Sequence, residues 1–564
     1  MSIEDFYNSI EGKTLVEANK MAEEICGIED FFETSDFHID QGDAQVNKAE
    51  YGDWQTNFEL AARVCLHIKE QGICPRIVIE PTCGTGTFIL AACAVFGNDL
   101  ELIYGIEIYK PYINQLKLRF LKYALDNPGV ITCKIKLFHQ SIFDFDFDGL
   151  HISNNKNVLL LGNPPWVTNS KLGEINSANL PKKTNFKNVK GLEAITGKGN
   201  FDIAEYITYQ LLDKFHQQDA CLAFLIKCSV AKNIVYEQKK GKYKISSIMQ
   251  YNIDAKKEFD VSVAACLMIL NLGKDSARQC VVQDFYKQND CYAYGWVGDS
   301  FVANIEDYSD TAFIDGTCQL NWWSGMKHDC STVMELDCNE GKLYNKLHEL
   351  VEIENDLVYP LLKSSDIKGG VIDKSRKFVI VTQTNTSDDT EKIKSSQPLT
   401  YKYLDSHSEY FDKRGSIIYK KRPKFCIFGI GAYSFKKYKI AIAGLYKSTL
   451  FSLVYPITGK STMLDDTCYL MGFDTLEDAE CVIKILNGQM VQRFMQSLVF
   501  YDAKRSINKD LLMRIDISKA AEHMLTNGDL SLTEYQRFFK LIEPEKQKKS
   551  RQPIQRSLFE CIEA

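Results

Sequence analysis

The 564-residue sequence lacks several features that would restrict its function or location. It has no CxxC pair among its 18 cysteines, and many of these lie in apolar runs, which favours free buried thiols over a zinc site or a disulfide framework. No apolar run approaches the roughly 18 residues of a membrane span, and the opening "MSIEDFYNSI" has neither a basic start nor an apolar core. We therefore expect a cytoplasmic protein with no metal site and no membrane partner.

An excess of basic residues is also absent. The net charge of −7 argues against a surface that is basic everywhere, but it leaves room for a local basic cleft. Internal repeats and low-complexity tracts are absent too. The chain is too long for one ordinary hydrophobic core, so two or more domains are expected.

Short β-rich runs alternate with helical stretches in the first half of the chain. The runs are "RIVIE", "LELIYGIEI", "CKIKLF", "NVLLLG", "CLAFLIK" and "VSVAACLMILNL". Their alternation predicts a doubly wound α/β sheet over 51–275, preceded by an acidic, helical extension over 1–50. Irregular strands and basic clusters from 276 to 530 predict a second domain, and 531–564 is expected to be a charged tail.

A glycine-bearing turn joins the first strand to the first helix in "IVIEPTCGTGTFILAA". Gly84 and Gly86 allow the backbone to turn tightly and to approach a ligand, and Glu80 closes the strand. Glu107 closes the next strand, where a carboxylate can accept hydrogen bonds from ribose hydroxyls. This arrangement indicates a nucleotide site, although the turn lacks the full GxGxxG spacing expected for a dinucleotide. A purely structural turn and a solvated strand-end carboxylate are the alternatives.

The stretch "LLLGNPPWVTNS" (159–170) ends a buried strand on a rigid corner. Pro164 and Pro165 stiffen the backbone because each fixes φ. The Asn163 amide oxygen and the Pro164 carbonyl are two acceptors, and Trp166 offers a flat face. An exocyclic amino group on an aromatic ring needs both features, because the acceptors hold its protons and turn the nitrogen lone pair out of conjugation. That nitrogen can then attack an electrophilic methyl group. A rigid corner with a buried tryptophan is the alternative.

"EPTCGTGTF", "GIEI" and "LGNPPW", in this order, resemble the gamma class of S-adenosylmethionine-dependent DNA adenine-N6 methyltransferases of bacterial restriction–modification systems. The resemblance implies a Rossmann-like methyltransferase domain followed by a mixed α/β target-recognition domain. "YGDWQTN" (51–57) resembles the segment that caps the methionine part of the cofactor, and "GKGNFDIAEYITYQLL" (197–212) resembles the motif whose helix start borders the methionine end. "KKEFDVSVAACLMIL" (256–270) resembles the motif whose aromatic residue packs against the target adenine.

The resemblance assigns site residues in the first domain. S-adenosylmethionine would contact Thr56, Glu80, Cys83, Gly84, Gly86, Glu107, Ile108, Ser141, Ile142 and Asn163, with Asp144 as the alternative to Ser141 at the cofactor adenine. The catalytic set would be Asn163, Pro164, Pro165, Trp166 and Phe259. Trp166 and Phe259 would sandwich the adenine. An ordinary core phenylalanine is the alternative for Phe259.

Four stretches of the second half resemble recognition domains of bacterial restriction–modification methyltransferases. They are "VYPLLKSSDI", "RGSIIYKKRPKFCIFGIG", "MLDDTCYL" and "FYDAKRSINKDLL". Basic side chains in two of them could contact DNA phosphates, and solvated charged loops are the alternative. These residues are Lys420, Lys421, Arg422, Lys424, Lys504 and Arg505.

The function that we expect is therefore transfer of a methyl group from S-adenosylmethionine to N6 of an adenine that has been rotated out of duplex DNA. Double-stranded DNA is the expected partner, and a separate restriction endonuclease acting on the same site is a second. The alternatives are a methyltransferase acting on protein glutamine or RNA bases, a fused restriction–methylation enzyme, and a non-catalytic DNA-binding subunit. The length of the C-terminal half disfavours the first, the short N-terminal extension disfavours the second, and the presence of Asn163 and Gly84 disfavours the third.

Overall fold

A computed structural model describes residues 1–39, 56–150, 152, 157–168, 201–287, 291–501 and 505–549. The chain divides into two compact units, Met1–Phe301 and Val302–Ala564. The first unit extends past residue 275, where the sequence suggested a change of domain, because three further strands continue its sheet.

The first unit is built on a ten-stranded sheet. Its strands are β1 (Ile77–Glu80), β2 (Leu102–Glu107), β3 (Lys134–His139), β4 (Val158–Gly162), β5 (Ala220–Lys227), β6 (Ile245–Ile253), β7 (Ala265–Leu272), β8 (Gln279–Asp284), β9 (Tyr292–Val297) and β10 (Ser300–Val302). Their order is β10-β9-β8-β6-β7-β5-β4-β1-β2-β3. Strands β1 to β5 pair in parallel, and β7 lies antiparallel between β5 and β6.

Strand order reverses at β1, which has β2 on one side and β4 on the other. A doubly wound sheet opens a crevice at such a switch point, outside the carboxyl ends of its strands. The apolar run Leu159, Leu160 and Leu161 is fully buried in β4, as expected for a central parallel strand. The predicted doubly wound fold is confirmed, although the sequence pattern did not predict β6.

Helices cover this sheet. They are α1 (Ile3–Ile10), α2 (Leu15–Cys26), α3 (Phe58–Glu70), α4 (Thr87–Phe96), α5 (Lys110–Asp126), α6 (Ile203–Phe215), α7 (Cys228–Glu237) and α8 (Ala255–Phe259). Capping boxes at Ser2 and Thr14 begin the first two helices, and both helices contact α5. Because Phe6 and Ile10 are buried in the same core as the sheet, the segment predicted to be an extension is packed into this unit.

The second unit contains two five-stranded sheets. Its strands are β11 (Trp323–Ser324), β12 (Glu335–Asn339), β13 (Lys342–Tyr344), β14 (Val358–Leu362), β15 (Gly370–Ile372), β16 (Lys377–Ile380), β17 (Tyr438–Ala443), β18 (Ser452–Val454), β19 (Met463–Leu464) and β20 (Cys468–Phe473). One sheet has the order β11-β20-β17-β18-β15 and the other β13-β12-β16-β14-β19. The predicted mixed α/β character of this half is confirmed.

Ten helices accompany these sheets within the described residues. They are α9 (Ile305–Thr311), α10 (Ser331–Met334), α11 (Ile393–Ser396), α12 (Pro398–Ser406), α13 (Ser408–Asp412), α14 (Leu476–Leu486), α15 (Gln489–Leu498), α16 (Lys509–Met513), α17 (Ile517–Thr526) and α18 (Leu532–Lys549). Phe538 and Ile542 of α18 are fully buried, so this part of the predicted tail is a packed helix. None of the described helices combines the length and the apolar character that a membrane crossing requires.

Candidate active site

A cavity lies at the carboxyl ends of β1, β2, β3 and β4. Its empty volume is about 880 Å³, including its open mouth. Most of the residues that the sequence assigned to the cofactor line it, namely Thr56, Glu80, Cys83, Gly84, Glu107, Ile108, Ser141, Ile142 and Asn163. Pro165 lines it as well, whereas Gly86, Pro164, Trp166 and Phe259 do not. The switch point of the sheet therefore gathers residues that lie far apart in the sequence.

The turn after β1 is shaped by its two glycines. Gly84 has a φ of +51° and lines the cavity, so its backbone can meet a ligand without a side chain in between. Gly86 has a φ of +79° and begins α4, but a Cβ at this position would lie 2.6 Å from Leu116 of α5. Gly86 thus serves the close approach of two helices, and its predicted contact with the cofactor stays a prediction.

Glu107 organises the turn as well as lining the cavity. One carboxylate oxygen accepts a hydrogen bond from the Gly84 N–H at 2.8 Å, and the other accepts one from the Tyr109 N–H at 2.8 Å. The side chain is buried, yet each carboxylate oxygen has a second lone pair that a ribose hydroxyl can use. Glu107 can therefore fix the glycine turn and hold a sugar at the same time.

Glu80 is a second carboxyl group in the cavity, and its side chain is only 3% exposed. Burial, together with the nearby Glu107 carboxylate, raises the pKa of Glu80 well above its usual range. Among the described residues, neither Glu80 Oε2 nor Thr82 Oγ1 has a hydrogen-bond partner. Buried polar atoms normally have partners, so these two fit a polar ligand such as the amino-acid end of S-adenosylmethionine.

Asn163 enters the cavity from the end of β4. Its amide nitrogen donates a hydrogen bond to Thr56 Oγ1 at 3.2 Å, which fixes the rotation of the amide about its last bond. Thr56 precedes Asn57, whose side-chain oxygen accepts a hydrogen bond from Leu60 N at 2.7 Å and caps α3. The rest of the predicted capping segment, 51–55, lies outside the described residues.

Trp166 and Phe259 lie together behind this corner. Their ring centroids are 5.1 Å apart at an interplanar angle of 66°, and both residues are only 7% exposed. The Trp166 Nε1–H donates to the carbonyl of Leu225 at 3.1 Å. Two rings in edge-to-face contact leave no gap between them for a third ring. The two residues lie together, and their role in a sandwich around the target adenine stays a prediction.

The third strand contributes the far side of the cavity. Ser141 lines the cavity and accepts a hydrogen bond from the Phe143 N–H at 3.3 Å, whereas Asp144 is not among the lining residues. Position therefore favours Ser141 over Asp144 as the residue near the cofactor adenine. Gln140 and Phe143 also line the cavity.

Sequence reasoning missed several lining residues besides these two. Tyr109 and Tyr112 follow β2, with ring centroids 5.2 Å apart in an edge-to-face pair. Ile203 and Ile207 come from the first turns of α6. The signal for the tyrosines was their place directly after a predicted strand end, because a parallel sheet directs such residues toward its crevice.

A charged network lies next to Phe259 in the sequence. Glu258 immediately precedes it, and its side chain is 4% exposed. Arg63 of α3 pairs with this carboxylate at 3.0 Å, and the Tyr286 hydroxyl donates to the same oxygen at 2.7 Å. The network ties α8, which carries Phe259, to two other parts of the unit. Sequence spacing gave no signal for it.

The predicted DNA-binding residues fall in two places of the second unit. Lys420, Lys421 and Arg422 are exposed on the turn that follows Tyr419. Lys424 pairs with Asp405 at 3.1 Å, and Arg505 pairs with Asp466 at 3.5 Å. Lys504 lies outside the described residues. Lys420, Lys421 and Arg422 are thus exposed, as is Arg505, whereas Lys424 is half-buried.

Comparison with known proteins bears on the identity of the chain. No family model matches it. The chain is 36% identical over 483 residues to the type II methyltransferase M.NspV of Nostoc sp., a match that covers 85% of this chain and 99% of the relative.

Solved structures are more distant. The type IIL restriction–modification enzyme MmeI in complex with DNA is 11% identical, with a TM-score of 0.49 over 98% of this chain and 76% of that one. The type I restriction–modification methyltransferase subunit from Streptococcus thermophilus is 13% identical, with a TM-score of 0.28 over 42% and 48%.

Methyltransferases of this kind take their methyl group from S-adenosylmethionine, so S-adenosylmethionine is the cofactor, as the resemblance implied. The likeness to the Nostoc protein extends over nearly the whole length of that relative. The chain therefore belongs to the family of type II restriction–modification methyltransferases.

Proposed function

We propose that this protein is a site-specific DNA methyltransferase that modifies N6 of adenine after the base has left the duplex. The observation that carries the proposal is the position of Asn163, in the cofactor cavity and oriented by Thr56. Methylation of an exocyclic amino group needs hydrogen-bond acceptors for its N–H groups near the methyl donor; Asn163 lies in the cavity, and the carbonyl of the next residue, Pro164, is the second acceptor in this proposal.

Each cavity residue contacts a different part of the cofactor in this proposal. Glu107 binds the ribose, the Gly84 backbone contacts the methionine part, and Glu80 faces its amino-acid end. When bound, S-adenosylmethionine supplies an electrophilic methyl group. The Asn163 side-chain oxygen and the Pro164 carbonyl accept hydrogen bonds from the two N–H groups of the amino group, so the nitrogen lone pair leaves the ring's conjugated system and becomes nucleophilic. Most of the catalysis then comes from positioning.

Trp166 and Phe259 form the wall that receives the base in this proposal. Because their rings contact each other, we infer that they separate when adenine enters. The aromatic contact that is lost is worth about 0.5–1.5 kcal/mol, whereas stacking a base on an aromatic ring returns about 1–3 kcal/mol. The exchange therefore favours capture of a base that has already left its stack.

The second unit is the target-recognition domain in this proposal. Its exposed cations, including Lys420, Lys421 and Arg422, would contact phosphates and orient the duplex. We further propose that the protein works in the cytoplasm as the modification partner of a restriction endonuclease. Seventeen described cysteines are all free, as expected for a reducing compartment.

The test is methylation of duplex DNA by the full-length protein. Unmethylated genomic DNA and S-adenosylmethionine with a labelled methyl group are incubated with the enzyme, and the DNA is digested to nucleosides for mass spectrometry. We expect N6-methyldeoxyadenosine from the parental protein and, at the same reaction time, roughly a hundredfold less, or lower still, from Asn163→Ala. Labelled N4-methylcytosine or 5-methylcytosine would contradict the adenine assignment. Label that enters only RNA or protein would contradict the DNA substrate.

A further inference from the structure

Five large apolar side chains are exposed near the end of β17 in the second unit. Trp323, Leu445, Tyr446, Leu450 and Tyr501 are between 37% and 47% exposed. We call this set the β17-end surface. Isolated exposed apolar residues are common, but several in one place mark a site of interaction.

The sheet geometry places Trp323 and the start of the loop after β17 on either side of β20, while Leu450, at the end of that loop, lies against Gly369 beside β15. Trp323 of β11 pairs with Leu470 of β20, and Ala443, the last residue of β17, pairs with Cys468 of the same strand. The edge tryptophan and the loop that follows β17 therefore flank one end of β20. That loop, residues 444–450, carries three of the five exposed side chains.

The segment around Lys509 lies next to Gly444, at the start of the loop that follows β17. Gly444 lies so near this segment that a Cβ on it would be 3.2 Å from the Ile507 carbonyl oxygen. The orientation of the Trp323 ring is fixed by stacking on Tyr433, with ring centroids 4.4 Å apart and an interplanar angle of 4°. A ring supported in this way presents a preformed face and loses little conformational freedom on binding.

Two lysines lie beside the aromatic rings. Lys447 Nζ is 5.9 Å from the ring centroid of Tyr501, and Lys509 Nζ is 5.8 Å from that of Trp323. Both lysines are exposed, and within the described part of the chain neither forms an ion pair with an acidic side chain. The surface thus combines apolar side chains with uncompensated positive charge.

We propose that the β17-end surface docks on duplex DNA, with Leu445 and Tyr446 directed at base edges and Lys447 and Lys509 at the flanking phosphates. The combination of lysines and apolar side chains favours this partner, because phosphates attract the lysine ammonium groups, while base edges and thymine methyl groups can form apolar contacts. The inference rests on the proposed DNA substrate and assigns part of its recognition to residues outside the predicted basic turn.

The test uses the full-length protein and two duplexes. One contains a site at which the parental enzyme places methyl groups in genomic DNA, and the other has the same composition without that site. Tyr446→Ala should weaken binding of the first duplex by about 5- to 150-fold and change binding of the second little, because only base contacts distinguish sequences. Lys447→Ala should weaken both and reduce the slope of log K against log salt by about 0.9.

Leu532→Ala and Lys540→Ala on α18 are matched controls, because these side chains are also exposed and lie in the same unit. They should bind both duplexes as the parental protein does, and all four variants should keep the parental affinity for S-adenosylmethionine. Parental binding by both surface variants would overturn the inference, while methylation by the parental enzyme keeps the proposed function intact. A surface change that alters sedimentation of the DNA-free protein and leaves DNA binding unchanged would instead identify an interface between copies. A parental protein that methylates no DNA would remove the proposed function itself.

Discussion

Replacing Glu107 with glutamine should separate its two tasks. The carboxylate accepts hydrogen bonds from Gly84 N–H and Tyr109 N–H at 2.8 Å each, and its side chain is 8% exposed. Glutamine keeps one acceptor oxygen but turns an NH2 group toward the other partner, so one backbone donor and the ribose lose a charged acceptor. Hydrogen bonds to charged groups contribute about 1.5–3 kcal/mol, which corresponds to a dissociation constant for S-adenosylmethionine that is about 10- to 150-fold higher.

Titration calorimetry with S-adenosylmethionine and S-adenosylhomocysteine checks this value. Both molecules carry the same ribose, so Glu107→Gln should weaken them equally, and Asp144→Asn, outside the cavity, should weaken neither. Thermal unfolding without ligand reports the separate effect on the glycine turn. If Glu107→Gln binds both molecules within twofold of the parental protein, the ribose is held elsewhere and the reasoning from the strand end is wrong.

Four further changes test other parts of the site and the fold. Asn163→Ala should lower single-turnover methyl transfer at saturating S-adenosylmethionine by roughly a hundredfold or more, and a parental rate would mean that the corner is only a structural turn. The raised pKa of Glu80 means that the folded state keeps a proton above pH about 4.3, so stability falls as pH rises beyond that value. Denaturant titrations of Glu80→Gln from about pH 5 to 8 should lack this fall. Glu258→Ala removes the partner of Arg63, so the KM for DNA should rise while calorimetry shows unchanged cofactor binding; charge reversal at both positions should restore part of the loss. Burial lowers the pKa of Lys439 to about 7. The free energy of unfolding of the parental protein should therefore fall as pH falls from about 10.4 toward 7. Lys439→Met should be more stable than the parental protein at about pH 7, and by a smaller margin near pH 10.

The strands were predictable wherever the hydrophobic pattern was continuous. "NVLLLG" and "CLAFLIK" are buried on both faces in β4 and β5, and their composition shows it. Strand β6 was missed because "ISSIMQYNI" mixes polar and apolar residues, and three of its positions are only partly buried. It lies between β8 and β7, and its less buried positions fall on both faces of the strand, so its hydrophobic pattern is not continuous.

Cavity residues were predictable because the carboxyl ends of parallel strands meet. This rule placed Glu80, Glu107 and Asn163 in one cavity from their positions alone. It could not show that Gly86 faces Leu116, since the approach of two helices depends on tertiary packing. The ion pair between α3 and α8 was equally invisible, because its partners are 195 residues apart.

The contact between Trp166 and Phe259 bears on the order in which substrates bind. Neither ring lines the cofactor cavity, so S-adenosylmethionine can enter while the rings remain together. In the proposed mechanism the target adenine has to part them. We infer that contacts along the duplex hold the base at the two rings while they separate, which a free adenine nucleotide lacks. We therefore expect that the enzyme with bound S-adenosylmethionine methylates DNA and does not transfer its methyl group to soluble nucleotides.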